Sequence, residues 1–392
     1  MSPSPSPFPP PLPHRPPVLP LSVALGGRRP TLLLTGGAGV LGRALIDELA
    51  AEYRIVCLRH RTPLQDPRVQ EVGADLLAPG LGLTPAVWRR LAAETDVVVH
   101  SAAATNWRAE PAEIRRTNIE GTRAMLELAE AAGAPLYYMS TAFVANPPSA
   151  ENAERFPGAA AYLVSKAECE EVVRDSAVPA VILRPSVVMG DSATGHISGA
   201  QGLTRALGAI VKGQVPVLPG APEARIDTVP QDVVARATGD LVRGGVTGGA
   251  YWLTAGEHAL FQHEVVETCL EFAERYGPRP HKPRMIPLEA VNRLLLPLID
   301  GAGFPASLRR RLRDYAELLL VFQRDLPLGT SLGTSPGAPP GAVLGGEAVS
   351  RDFLRQALVR NLEYWAGRPG GMRTRRGAEP RPAATVTREL AS

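Results

Sequence analysis

TLLLTGGAGVLG, Thr31 to Gly42, carries the strongest fold signal in the chain. A short apolar run with strand character meets a glycine-rich turn. Apolar residues at helical spacing then follow from Val40 to Ala51. Gly36, Gly39 and Gly42 fall in a G-x-x-G-x-x-G pattern. In a strand–turn–helix the first glycine permits the tight turn. The second admits a pyrophosphate close to the backbone, and the third lets helix and strand pack closely. The helix N-terminus then offers free N–H groups and a partial positive charge to phosphates. A glycine turn without a ligand is the alternative, and the strand–turn–helix context disfavours it.

Working outward, apolar runs recur downstream at Arg54 to Leu58, Val69 to Val72, Asp96 to His100, Leu136 to Met139 and Ala180 to Leu183. Helical stretches separate them at Pro85 to Ala93, with Thr84 as N-cap, at Glu110 to Ala132, and through Tyr162 to about Arg174. This β-α-β-α alternation predicts a doubly wound parallel sheet covered on both faces. Ligands of such sheets bind at the carboxyl ends of the strands. Thr35, Gly36, Ser101, Ala102, Ala103 and Thr141 should therefore meet in one crevice. His100 ends a buried-looking strand and reads as a core histidine. Where an NAD site usually carries an acid, at the end of the second strand, this chain has Arg59, His60 and Arg61. Arginines there suit a 2′-phosphate, so NADP(H) is expected over NAD(H). Asp75 is placed to reach the adenine edge.

Tyr162 and Lys166 lie one helical turn apart, on one face. The chain has only three lysines, Lys166, Lys212 and Lys282, so the pairing is rarely a product of chance. Carbonyl reduction needs a proton donor at oxygen as hydride reaches carbon. A neighbouring ammonium is expected to lower the tyrosine from its ordinary value towards the working range. Thr141 can hold the same oxygen, and Lys166 the nicotinamide ribose.

TGGAGVLG, Thr141, Tyr162-x-x-x-Lys166 and Arg184-Pro185 together resemble an extended short-chain dehydrogenase/reductase. Four segments narrow the match: Gly73 to Trp107, RTNIEGT (Arg116 to Thr122), STAFVAN (Ser140 to Asn146) and LRPSVVMGDSATG (Leu183 to Gly195). They are similar to thioester reductases, the reductase domains of carboxylic acid reductases and nonribosomal peptide synthetases, with the male-sterility-type fatty acyl-CoA reductases as kin. The similarity runs from Thr31 to about Ala235. Asn146 departs from it, standing where glycine is common, and the match is vague after Ala255.

The resemblance implies an α/β Rossmann-type fold with a smaller, mainly helical C-terminal substrate lobe. Thr141, Tyr162, Lys166 and Asn118 are its implied catalytic residues. The cofactor would be bound by Thr35, Gly36, Gly39, Val40, Leu41, Gly42, Arg59, Arg61, Asp75, Leu76, Ser101, Ala102, Ala103, Tyr162, Lys166, Pro185, Val187 and Val188, with no metal. The substrate would be an acyl-CoA or acyl carrier protein thioester. A sugar epimerase or dehydratase, a hydroxysteroid-type dehydrogenase and a non-catalytic NADP-binding regulator are the competing readings. An acid at the end of the second strand would favour the first two, and loss of the Tyr–Lys pair the third.

The expected division is a proline-rich disordered tail (1–29), a cofactor domain (30–255) with a substrate-lobe insert at about 190–230, a helical lobe (256–366) and a disordered tail (367–392). The lobe should contain helices at Phe261 to Tyr276, Leu288 to Leu296, Ala306 to Phe322 and Phe353 to Trp365, and a Gly/Pro-rich loop at 327–347. The formal charge is +3, but residues 1–30 carry +3 and residues 368–392 carry +4, leaving the body at −4. An acidic body argues against a nucleic-acid face. Cys57, Cys169 and Cys269 have no metal-ligand spacing and make a poor disulfide framework, so a reducing cytoplasm is expected. No apolar run reaches spanning length.

The arginine reading has a direct test. Replacing Arg59 and Arg61 together with Ala should weaken NADPH binding by roughly 10–100-fold, the worth of charge-assisted hydrogen bonds, and leave NADH nearly untouched. Equal weakening in fluorescence titrations with the two cofactors would show that neither arginine reads the 2′-phosphate.

Overall fold

A computed structural model describes residues 29–372, apart from 200–201, 288–289, 291–305, 307–309, 311–312, 315–316, 319–320, 334–343 and 347–348. Residues 1–28 of the expected 1–29 tail, 373–392 of the expected 367–392 tail, nearly all of the Leu288 to Leu296 helix and the middle of the 327–347 loop lie outside the described residues. From 306 to 322 every described position is helical.

The strands are β1 (Thr31–Thr35), β2 (Arg54–Arg59), β3 (Val69–Gly73), β4 (Val97–His100), β5 (Leu136–Met139), β6 (Ala180–Pro185) and β7 (Val187–Met189). They continue as β8 (Val217–Pro219), β9 (Arg225–Ile226), β10 (Thr228–Pro230), β11 (Ala250–Leu253), β12 (Leu260–Phe261), β13 (Arg284–Ile286) and β14 (Gln323–Arg324). The helices used below are α1 (Val40–Leu49), α2 (Pro85–Glu94), α3 (Pro111–Ala132), α4 (Ala150–Arg155), α5 (Pro157–Asp175), α6 (Gly202–Val211), α7 (Gln231–Arg243), α8 (Gln262–Ala273) and α9 (Arg351–Ala366).

Seven parallel strands form the main sheet in the order β11-β6-β5-β4-β1-β2-β3. The chain moves outward from β1 to β3, then returns to place β4 on the other side of β1. That reversal opens a crevice between the loops after β1 and β4. All five residues of β1 are buried. Leu32 and Leu34 join the core under α1 and α7, with Leu45 and Leu241, while Leu33 joins the opposite core under α3, with Met125 and Leu128. Burial on both faces is why the run reads as continuously apolar.

Two expectations about the sheet need correction. A seventh strand, β11, extends it beside β6; four residues after a glycine-rich turn gave too little pattern to find it. Alternation is also not strict, since β2 reaches β3 through residues 60–68 without a helix.

The smaller lobe combines the insert with the C-terminal region. Helices α6, α8 and α9 pack together, and short sheets (β7 with β10, β8 with β13, β9 with β12 and β14) tie them to the body. So the lobe is not helical alone. Asn361 of α9 accepts a hydrogen bond from Gly190 N at 2.6 Å. Buried Asp227 accepts from Ala255 N at 2.9 Å and Gly256 N at 3.0 Å, fastening β9–β10 to the end of β11.

The glycine turn is the tightest point. Gly36 has φ +75°, and a Cβ there would lie 2.7 Å from Ala102 N; a Cβ on Gly42 would lie 2.1 Å from Gly36 O. Gly42→Ala should therefore destabilise by about 1–3 kcal/mol through overpacking. Gly199→Ala, with nothing within 4 Å of the new carbon, should stay within about 0.5 kcal/mol of the parent. Thermal unfolding of the two variants checks this, and equal Tm values would refute the packing argument.

Candidate active site

A cavity of about 730 Å³ lies at the carboxyl ends of β1, β4, β5 and β6. It gathers Gly36, Gly39, Val40, Leu41, Gly42, Ser101, Ala102, Ala103, Thr141, Tyr162, Lys166, Pro185, Val187 and Val188. These residues come from points up to about 150 positions apart in sequence, and parallel strand packing brings them to one rim.

The phosphate end is backbone. Helix α1 starts at Gly39 without a side-chain cap and without an acid in its first turn, so its leading N–H groups stay available to an anion. Gly39 has little room: a Cβ there would stand 3.2 Å from Gly36 O.

Behind this rim runs a chain of buried hydrogen bonds. Ala102 N donates to Thr35 Oγ1 at 3.1 Å, and Thr35 Oγ1 lies 2.7 Å from His100 Nδ1. His100 Nε2 faces Thr122 Oγ1 at 3.4 Å, and that hydroxyl donates to Asn118 O at 2.8 Å. A neutral ring protonated on Nε2 satisfies every link. Burial, with the nearby Lys166 charge, pushes His100 down to about 3, so it stays neutral.

Thr35 and Asn118 are therefore wall supports and not cavity residues. Asn118 Oδ1 accepts from Ala104 N at 2.7 Å, and its Nδ2 donates to Ser165 Oγ at 2.8 Å. Ser165 in turn donates to Tyr162 O at 2.7 Å. Asn118 thus joins the loop after β4 to the helix of Tyr162. Four other expected cofactor residues also lie off the cavity lining. Arg59 pairs with Glu71 at 3.3 Å, and Arg61 is exposed. Asp75 accepts from Leu77 N at 3.0 Å. Leu76 packs against Gly121 and lines a separate cleft of about 450 Å³ with Trp88 and Arg116. Glu71, which holds Arg59, comes from the adjacent strand β3, where it pairs in register with Cys57.

The chemical end differs from expectation in its electrostatics. Tyr162 is not lowered by its neighbour; burial in the cavity wall pushes the phenol up to about 12. Lys166 Nζ donates to Met139 O at 2.7 Å and lies 4.8 Å from the centre of the Tyr138 ring. Burial lowers it to about 8, partly offset by Cys169 and Glu170. Among the described residues Thr141 Oγ1 makes only long contacts, accepting from Phe143 N at 3.4 Å and donating to Pro185 O at 3.5 Å. Its hydroxyl is weakly held and open to a better partner.

Sequence reasoning named no site residue on the far wall, though it read Ala306 to Phe322 as an apolar-rich helix able to cover an acyl chain. Trp107 stands 6.1 Å from the Tyr162 ring and 5.5 Å from Phe322, and Phe322 lies 4.8 Å from Phe143. Arg108 pairs with Asp314 at 2.6 Å, and half-buried Glu317 is pushed up to about 7 by burial and by Asp314. Trp107 and Phe143 do sit inside segments singled out above; no local pattern links them to residues 314–322. Among the described residues no group of acids, histidines or cysteines is placed to hold a metal, and no helix is long and apolar enough to cross a membrane.

Comparison with known proteins agrees with this geometry. Residues 57–238 match the NAD-binding family described as male sterility protein. A stretch of 187 residues is 33% identical to the polyketide synthase-nonribosomal peptide synthetase ACE1 of Pyricularia oryzae, covering 41% of this chain and 5% of the synthetase. The chain thus spans only a small part of such a relative. The terminal R domain from the myxalamid PKS-NRPS biosynthetic pathway superposes with TM-score 0.63 at 25% identity, over 90% of this chain and 93% of that one. The reductase domain of a Mycobacterium tuberculosis nonribosomal peptide synthetase shares the fold, with TM-score 0.57 at 22% identity over 86% and 92% of the two chains. Residues 57–238 thus match the male-sterility-type NAD-binding family, and the chain is similar in sequence and in fold to the reductase domains of such synthetases.

Proposed function

We propose that this protein is an NADPH-dependent reductase of an acyl thioester, carried on an acyl carrier protein or on CoA, giving an aldehyde and in a second round an alcohol. The observation that carries this reading is the convergence of the glycine turn, Thr141, Tyr162 and Lys166 on one cavity whose far wall is aromatic. The cradle fits a dinucleotide: no Cβ can be accommodated at Gly36 or Gly42, and the uncapped start of α1 suits the pyrophosphate. Lys166 would hold the nicotinamide ribose, and Arg59 and Arg61 the 2′-phosphate. When bound, the reduced nicotinamide supplies hydride to the carbonyl carbon.

Tyr162 and Thr141 support the oxygen as negative charge develops there. A phenol near 12 keeps its proton at working pH, so Tyr162 is a donor and not a base. In the thioester step the carbonyl re-forms as the thiolate leaves, and the oxygen never needs a full proton. In the aldehyde step the oxygen ends as a hydroxyl, and Tyr162 must give its proton. The rings of Trp107, Phe143 and Phe322 would cover the acyl group. A panel of acyl-CoA, acyl-pantetheine, free aldehyde and UDP-sugar substrates, followed by NADPH oxidation, tests the reading. Turnover of the sugar alone would replace it with the epimerase or dehydratase alternative.

Three further outcomes are expected. Tyr162→Phe should slow single-turnover aldehyde reduction by about 10²–10⁴-fold, spare NADPH affinity, and cost the thioester step less. Aldehyde reduction at the parent rate would make Tyr162 a structural residue only. Lys166→Met should harm both binding and turnover. Because Lys166 is charged only below about 8, NADPH affinity should be greatest below that pH and fall above it. Fluorescence titration between pH 6 and 10 reads the break, and a flat profile would remove the charge from the binding step.

A further inference from the structure

Glu170 stands one turn beyond Lys166 and two beyond Tyr162 on α5, so the three side chains share a face. It is 2% exposed, a position that a carboxylate occupies only when fully partnered. Its Oε1 accepts from Ser140 Oγ at 2.6 Å and from Arg184 Nε at 2.9 Å. Its Oε2 accepts from Arg184 Nη2 at 2.5 Å and pairs with Arg174. Ser140 immediately precedes Thr141 at the end of β5, and its N donates to Leu183 O at 2.7 Å. Arg184 immediately precedes Pro185 in β6 and is itself 3% exposed. The bonds of one carboxylate therefore fasten two strand ends to the helix that carries the proposed proton donor.

We propose that Glu170 is a positioning residue of this site: it sets the α5 face bearing Tyr162 and Lys166 in register with Thr141 and Pro185, and it helps keep Lys166 charged. The proposal rests on the roles given above to Tyr162 and Lys166. The groups around Lys166 are Cys169 and Glu170 on its own helix, Tyr138 from β5, and His100 from β4, which stays neutral. Those around Glu170 are Ser140 from β5, Arg184 from β6 and Arg174 from α5. Glu170 is the carboxylate of this set. Burial draws Lys166 down, and Glu170 is one of two groups that push it back up. Neutralising Glu170 also leaves Arg174 and Arg184 without their shared anion.

The sequence makes the test direct, because Lys166, Lys212 and Lys282 are the only lysines. Protein labelled with 13C at the lysine ε-carbon should give three resonances, assigned with Lys212→Arg and Lys282→Arg, and titrated by NMR. In Glu170→Gln, Lys166 should lose its proton at least roughly one pH unit lower than in the parent, the usual size of a lost opposite charge. Glu170→Asp, which keeps the charge, should restore most of the shift. The alkaline limb of kcat should move with it. If Glu170→Gln does not fold, Glu170→Gln with Arg184→Met is compared with Arg184→Met alone, so that the two proteins differ only in the Glu170 charge. A folded variant in which the Lys166 titration does not move, even with a lower Tm, overturns the proposal and leaves Glu170 a structural residue. Absence of turnover with every acyl substrate would sink the thioester reading instead, and the NMR comparison would still stand.

Discussion

The architecture depends on one close approach of backbone to backbone. The turn after β1 lies against the start of the loop after β4, so near that a Cβ at Gly36 would fall 2.7 Å from Ala102 N. Helix α1 closes on the same turn, with no room for a side chain at Gly42. These contacts bring the turn, the helix start and the loop after β4 to one rim. The rim is then stiffened from below by neutral hydrogen bonds through Thr35, His100, Thr122 and Asn118, which keep polar groups satisfied in a buried place.

Burial, more than charge pairing, sets the proton affinities at the site. It raises the Tyr162 phenol and lowers the Lys166 ammonium, in each case favouring the neutral form. His100 is held neutral for the same reason. Behind them, buried Glu170 lies between two guanidinium groups and a hydroxyl. A neutral donor phenol, a lysine that titrates near working pH and a fixed anion behind them form a graded arrangement along one helical face.

The far side of the cavity is built differently. Trp107 and Arg108 lie in the loop after β4, whereas Phe322 and Asp314 belong to the far lobe, and the ring contacts and the ion pair join them across the opening. Helix α9 locks that lobe to the body through Asn361 and the 190–195 loop. Specificity for the acyl group would follow from these few long-range contacts, which can vary without disturbing the cofactor end.

The strand–turn–helix opening, the central strands and the Tyr–Lys helix are legible in the amino-acid sequence, because each is a local pattern. Unbroken apolar runs mark strands buried on both faces, Thr84 marks a helix start, and a spacing of four marks one helical face. The sequence also pointed to Thr141, Ser101 and Gly36 as neighbours, since parallel strands bring their carboxyl ends together. Tertiary structure alone decided the rest. β11 is a strand because β6 offers it hydrogen bonds, not because AYWL declares one. Arg59 has an acid beside it because Glu71 comes from the next strand. Asn118 supports the wall, Tyr162 rises in pKa where its neighbour was expected to lower it, and Glu170 finds its partner in Arg184 of the neighbouring strand. Each of these depends on burial or on a partner distant in the chain, and desolvation and long-range pairing exist only once the chain has closed on itself.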